Sequence, residues 1–433
     1  MVTSYMSEKA LPRMLKADSG MLRIDRIALT LAISMVLAST YLQKLALPGS
    51  NGTLPLSVLL VPIIILAGVA TKVLELSREA YIPFAVLLVI GLCDFVASNG
   101  LSTSLPSLAL FAVAQASLLF RFSAAISVAR PLYTFFRNAV LLLALLGTAQ
   151  FALQFLVGSG VAFFLDRLPP GVIVSNFNVL NPLAWNSPIF KSNGIFMLEP
   201  SLFSQLIAVG IALEIMIWRN PFRLLALSLA ALLSFSGTGL VMLALFLPIY
   251  ALSKGQIRIL LAACLLVVAL FFAAEPLGLT ALTSRVGELG SARSSGWARF
   301  VSPLLYLQDA AFQGPWAFLL GQGPGSVEKI RSLDYQAFDP TWAKLVFEYG
   351  FLGLAAYVCL FYSAFIKSRM PLRLPLGLTY FLLGGYLLNA SIVAQLAVMV
   401  VWTGTEDLAQ TGGDVRNPSH KSIAALLQDS KPQ

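Results

Sequence analysis

The amino-acid sequence predicts an all-α, polytopic membrane protein with about twelve transmembrane helices, eleven being the alternative, and two larger loops on one face. Three observations carry that prediction. The chain of 433 residues is 58% hydrophobic and only 11% charged, where a soluble domain carries about 25% charged residues; its mean hydropathy is +0.82. The apolar residues gather in runs long enough to cross a hydrocarbon core of about 30 Å. The basic residues fall mostly between those runs rather than within them.

The net charge of +9 therefore reads as topology and not as a nucleic-acid surface, because Lys and Arg accumulate in cytoplasmic connections. Cys93, Cys264 and Cys359 lie inside separate apolar runs, and the sole histidine, His420, sits in a polar tail. That pattern argues against a disulfide framework, a metal site or His-based catalysis in the membrane part. No metal and no cofactor is expected.

Taken in order, residues 1–26 form a basic segment with Lys9, Arg13, Lys16, Arg23 and Arg26, assigned to the cytoplasm. A signal peptide is the competing reading, but the leader is long, cleavage is poorly marked and many spans follow. Residues 27–157 hold the first five spans, near 27–42, 54–71, 80–96, 105–119 and 132–157. Lys72 and Arg78 follow the second span, Arg121, Arg130 and Arg137 surround the link between the fourth and fifth, and 97–104 has no charge, so connections alternate between inside and outside. The stretch 158–200 is then an outer loop, 201–275 carries spans six to nine, and 276–340 is a second, larger outer loop. Within the second group, 224–250 is too long for one span and is broken by SFSGTG at 234–239. The C-terminal spans occupy 341–402, and 403–433 is a polar tail. The last apolar stretch, 374–402, reads as one tilted helix or as two broken near 389–391; two gives twelve spans and a cytoplasmic tail. No repeat of 20–50 residues is visible.

Both outer loops carry the unusual charges. Arg285, Arg293 and Arg299 lie close together with only Glu288 to balance them. A guanidinium pairs bidentately with phosphate oxygens and stays charged at any depth; a solvated or headgroup-binding basic segment is the competing reading. Lys191, in the first loop, is either a second cation for the same site or an exposed loop lysine. Glu199 precedes Pro200 where that loop meets span six, and Asp339 precedes Pro340 at span ten; in both cases an acid before a helix with Pro at its first turn suits capping and the macrodipole. Glu348 lies about two turns into span ten. An intramembrane carboxylate is functional or paired, and Lys344 stands one helical turn away as a same-face partner. SFSGTG offers small hydroxyl residues for a helix interface. The glycine-rich GQGPG at 321–325 fits neither a dinucleotide fingerprint nor a P-loop, and reads as a tight turn. No Asp-x-Asp pair of the kind that holds a metal on a nucleotide-sugar occurs in the loops.

The ordered set KSNGIFMLEPSLFSQ, SFSGTGL, SARSSGW, LGQGPGS and DPTWAKLVFEYGFLGL, from Lys191 to Gly353, resembles the O-antigen ligase and O-antigen polymerase superfamily of bacterial membranes, in its exopolysaccharide polymerase branch. The resemblance implies a GT-C-like helical fold in the inner (cytoplasmic) membrane, with both large loops periplasmic. It implies a metal-independent glycosyltransferase acting on oligosaccharide repeat units carried by undecaprenyl diphosphate. The resemblance maps two diphosphate-binding basic residues to Lys191 and Arg293 and a third position to Asp339; the mechanism expected on that basis adds Arg299 to the diphosphate site and takes Arg293, Asp339 and Glu199 as the catalytic set, with Glu348 in support. Membrane lipid, a chain-length-determining co-polymerase and a flippase would be its partners. Two positions depart from the pattern: Lys replaces the more usual Arg at 191, and Asp339 stands where a ligase carries His, about nine residues before the Glu-x-Gly of 348–350. The second departure favours a polymerase over a ligase that transfers finished glycan to lipid A core. A polyprenyl-glycan flippase is disfavoured, since transporters of that kind show internal repeats and midplane sites on broken helices.

Overall fold

The computed structural model describes residues 10–97, 103–124, 126–169, 171–175, 177, 179–183, 187–255, 261, 265, 268, 272, 295–308, 314–327, 339–365, 368, 370 and 372–403. The helices that frame the molecule are α1 (Ala10–Tyr41), α2 (Ser57–Ala70), α3 (Arg78–Ala97), α4 (Leu105–Ala116), α5 (Ala129–Leu156), α6 (Pro200–Leu213), α7 (Pro221–Leu233), α8 (Gly237–Ser253), α9 (Thr341–Phe365), α10 (Arg373–Leu382) and α11 (Ala390–Leu396). Helices α6 and α11 continue as π-helical turns, Glu214–Trp218 and Ala397–Trp402. Local chemistry sets several starts. Proline occupies the first turn of α4, α6 and α7, where its missing N–H costs nothing. The Asn220 side chain accepts from the amide of Arg223 at 3.1 Å to begin α7.

Five helices among the described residues are long and apolar enough to cross a membrane, and five further apolar helices are shorter. The expected count of twelve therefore meets a bundle in which many elements are short: Ser57–Ala70, at 14 residues, is about 21 Å long at 1.5 Å per residue. The expected ninth span, 259–274, falls almost wholly outside the described residues, as does much of the second outer loop. The expected break in 224–250 lies at residues 234–236, between α7 and α8. The stretch 374–402 is interrupted by a 3₁₀ turn at Gly385–Leu388.

The bundle has two distinct ends. At one, β1 (Leu74–Leu76) pairs antiparallel with β2 (Phe120–Phe122), joining the α2–α3 and α4–α5 connections. Arg121 of β2 donates to the carbonyl of Ser363 near the end of α9 at 2.6 Å, and Trp402 donates to the carbonyl of Ser117 at 2.9 Å. At the other end, short bridges join Leu45 to Ile173 and Ala46 to Pro55. Helices α2, α9 and α11 thus run in the same direction, away from the loops and toward the hairpin, while α10 returns.

The GQGPG segment is the turn that its glycines suggest, and it explains itself sterically. Gly321, Gly323 and Gly325 all have positive φ (+90°, +88° and +73°). A Cβ on Gly321 would lie 2.5 Å from the backbone of Glu348 and Gly350, and the amides of Gln322 and Gly323 donate to the carbonyls of Phe347 and Glu348 at 2.8 and 2.9 Å. Those carbonyls are freed because α9 kinks at Gly350, whose φ is +62°. The Gly321→Ala substitution is therefore expected to destabilise the protein by about 2 kcal/mol or more, from strain and overlap together. Gly237→Ala, where nothing lies within 4 Å, should stay within about 0.5 kcal/mol of wild type. Thermal unfolding of the two variants in detergent checks the contrast; equal melting temperatures would contradict it.

Candidate active site

A cavity of about 730 Å³ opens at the loop end of the bundle, within the range of small-ligand sites. Lys191 and Glu199 from the first loop, and Arg299 and Asp339 from the second, all line it. Each is half-buried. Four of the six residues singled out in the sequence are thus brought to one concavity, although they come from segments far apart in the chain.

The local folding that places them is specific. The Lys191 amide donates to the carbonyl of Asn181 at 2.9 Å, closing the first loop on itself. Glu199 occupies the N-cap position of α6 with extended backbone (φ −142°, ψ 155°), but its side chain does not cap the helix. It accepts from the hydroxyl of Ser201 at 2.8 Å instead. The capping expectation is corrected to that extent: Glu199 keeps the favourable place at the helix start, and its carboxylate turns to a neighbouring hydroxyl. SFSGTG then locks α6 against α8. Thr238 Oγ1 donates to the carbonyl of Ser201 at 3.1 Å, the amide of Gly239 donates to Ser204 Oγ at 3.2 Å, and a Cβ on Gly239 would meet Ser204 O at 2.3 Å. Phe235 and Ser236 of the same motif reach the cavity wall. On the opposite side, Pro340 accepts from the amides of Ala343 and Lys344 at 3.0 and 3.1 Å, so α9 starts immediately after Asp339. Arg299 rides on a short helix, Ser295–Phe300.

Two of the expected residues are not in this group. Arg293 lies outside the described residues. Glu348 is not part of the cavity lining: it is buried on α9, 3.7 Å from Lys344 one turn away, and its carboxylate faces the backbone amides of Gly325 and Val327. The structure realises the same-face pair, so Glu348 ties GQGPG to α9.

The main feature that sequence reading missed is a buried polar network behind the first loop. Lys44, just past α1, pairs with Asp166 with side chains only 4% and 1% exposed, and its ammonium also donates to the carbonyl of Ile195. Asn193 donates to Asp166 at 3.1 Å and to the carbonyl of Val179 at 3.2 Å. Gln150 of α5 donates to Asn193 Oδ1 at 3.0 Å and accepts from the Asn193 amide at 3.2 Å. Burial pushes the Lys44 ammonium down to about 8, against the opposing pull of Asp166, and pushes the Asp166 carboxyl up. This network fixes residues 193–195, and through them the path from Lys191 to Glu199. The signal in the sequence was slight: a lone lysine at the edge of an apolar run.

Two loops of this helical, apolar chain thus converge charged side chains on one cavity, an arrangement suited to a charged ligand. The family match narrows this. A family model described as WcaD colanic acid polymerase matches residues 30–366, and the chain belongs to that family. Comparisons with curated proteins and with solved structures find no match. The family falls on the polymerase side of the resemblance read from the sequence.

Removing one partner of the buried pair should leave an uncompensated charge. Lys44→Met and Asp166→Leu are each expected to cost about 3 kcal/mol or more, and the double replacement to recover much of that loss. Unfolding in detergent measures all three; additive losses would show that the pair does not act as a unit.

Proposed function

We propose that this chain is an exopolysaccharide repeat-unit polymerase that joins oligosaccharides carried on undecaprenyl diphosphate at the periplasmic face of the bacterial inner membrane. The observation that carries the reading is the convergence of two cations and two carboxylates, from two separate loops, on one cavity in a chain of the WcaD colanic acid polymerase family. Leu54, Val58 and Leu110 extend the lining into apolar side chains, which suits a polyprenyl-linked substrate.

In this mechanism the growing glycan on its lipid diphosphate is the donor, and a hydroxyl on a lipid-linked repeat unit is the acceptor. The bond from the donor's anomeric carbon to the diphosphate breaks, and a bond from that carbon to the acceptor oxygen forms. The acceptor proton passes to Asp339 or Glu199 acting as general base, and undecaprenyl diphosphate leaves with the charge. Lys191 and Arg299, joined by Arg293, neutralise that leaving group; charge placed in advance where it develops is often the largest single contribution to catalysis. Phosphate charge is met here by Lys and Arg, with no metal assigned a role. The distribution of basic residues supports the orientation: the hairpin end carries Lys72, Arg78 and Arg121, as a cytoplasmic face does. A chain-length-determining co-polymerase and a flippase would work beside it.

Purified protein given lipid-linked repeat units without any ion gradient should form chains longer than one repeat, and failure to do so sinks the reading. In the same assay Arg293→Ala, Arg299→Ala and Asp339→Asn are each expected to slow elongation by about 10²-fold, with the variants folded and inserted as wild type. Wild-type elongation by Arg293→Ala would remove that residue from the diphosphate site.

A further inference from the structure

The interruption between α10 and α11 builds one wall of the cavity, from Gly384, Gly385, Tyr386, Leu388, Asn389 and Ala390. All of these residues lie beyond 366, where the family match ends. The wall is fastened directly beside Asp339. The Thr341 amide and hydroxyl both donate to the carbonyl of Gly384, each at 3.0 Å, and a Cβ on Gly385 would lie 3.0 Å from the Asp339 carbonyl. Any group presented by this wall is thereby held in register with the start of α9.

Asn389 is the group so presented. It is the N-cap of α11 (φ −95°, ψ 121°), and its Oδ1 accepts from the amides of Ser391 and Ile392 at 2.9 and 3.4 Å. Those bonds decide the orientation of the side-chain amide: the oxygen faces the helix, so the NH₂ faces away from it. Nδ2 makes no hydrogen bond to a described residue, and Asn389 lines the cavity. A neutral donor locked in one direction, in a cavity that Asp339 and Glu199 also line, has the chemistry to recognise a hydroxyl oxygen. It adds no charge for a diphosphate, which Lys191 and Arg299 already meet.

We propose that Asn389 is a sugar-recognition residue whose Nδ2 donates to a hydroxyl of the acceptor glycan, so that the wall at 384–390 governs which sugar is presented to Asp339. The proposal rests on the reading of the cavity as the site of glycosyl transfer. It assigns two tasks to different parts of the chain: the family-matched segment handles the diphosphate, and the interruption beyond it reads the sugar.

The test uses Asn389→Ser and Asn389→Thr. Both are neutral and both retain a side-chain oxygen suited to an N-cap, while removing the NH₂ donor. Two probes are titrated into the purified full-length protein: the lipid-linked repeat unit extracted from cells that make the polymer, and undecaprenyl diphosphate bearing no sugar. The expected result is a wild-type melting temperature, unchanged binding of the sugar-free lipid, and binding of the glycolipid weakened by about ten-fold, with the same rise in KM for the acceptor. Wild-type affinity for the glycolipid in both variants overturns the proposal. So does equal weakening for the two probes, or failure of both variants to fold, since the residue is then a cap and nothing more. If wild-type protein itself neither binds nor extends the glycolipid, the polymerase reading fails and the Asn389 proposal falls with it, a result distinct from a loss confined to the variants.

Discussion

The buried contact of Lys44 with Asp166 and the Ile195 carbonyl is the constraint on which the loop end of the molecule depends. An ion pair with side chains 4% and 1% exposed is not a source of net stability by itself, because desolvation of both charges offsets most of their attraction. Its value is positional. Lys44 follows α1, and its ammonium has few ways to satisfy three N–H groups away from water. Accepting from it fixes Asp166 and residue 195 relative to the bundle, and Asn193 and Gln150 extend that fix to α5. A network of this kind in a low-dielectric setting is stable when fully satisfied and costly when partly so. Residues 193–195 of the first loop are therefore fastened to the bundle by side-chain contacts.

The opposite end uses the same chemistry differently. Arg137 of α5 makes a bidentate contact with Glu214 at 2.6 and 2.8 Å, lies over the ring of Trp218 at 4.5 Å, and so joins α5 to the π-helical end of α6. Glu214 also accepts from the amide of Asn220 at 2.9 Å, which turns the chain into α7. The charges there are consumed in joining helices. Helix α5 thus carries a structural polar contact at each end, Arg137 at one and Gln150 toward the other, and α6 starts at Glu199 and finishes at Glu214. The cavity's charges are mounted between elements that are themselves fastened at both ends.

How much of this was legible in the sequence depended on whether the signal was local. The break at SFSGTG could be read because small hydroxyl and glycine residues stand out in an apolar run, and the Lys344–Glu348 pair because one helical turn is a fixed distance. The charges read in and beside the two outer loops made one set of Lys191, Glu199, Arg293, Arg299, Asp339 and Glu348; the fold brings Lys191, Glu199, Arg299 and Asp339 to a single cavity, holds Glu348 apart from it, and Arg293 lies outside the described residues. Glu199 shows the limit of local rules. An acid before Pro at a helix start predicts a cap, yet a hydroxyl two residues on competes for the carboxylate and takes it. Lys44 and Asp166 were illegible for a plainer reason: nothing in either neighbourhood specifies a partner on another element. The short helices were equally hidden, since hydropathy reports an apolar run but not where a 3₁₀ or π turn will end the α-helix within it.

The interruption between α10 and α11 joins these observations. Hydropathy alone leaves 374–402 ambiguous, since 29 apolar-rich positions could tilt as one helix; what decides it is the demand for hydrogen bonds when a helix stops. Residues Gly384–Asn389 meet that demand from two sides, Thr341 supplying donors to Gly384 and Asn389 supplying an acceptor to the next helix start. Backbone groups freed where a helix breaks away from water need partners in the protein or in a polar cavity, and this break finds them in Thr341, Asn389 and the cavity it lines. An uninterrupted helix here would remove the wall beside Asp339 and the Gly384 carbonyl that Thr341 binds. The broken helix is thus part of the same construction as the two loops, and the cavity is complete only when all three meet.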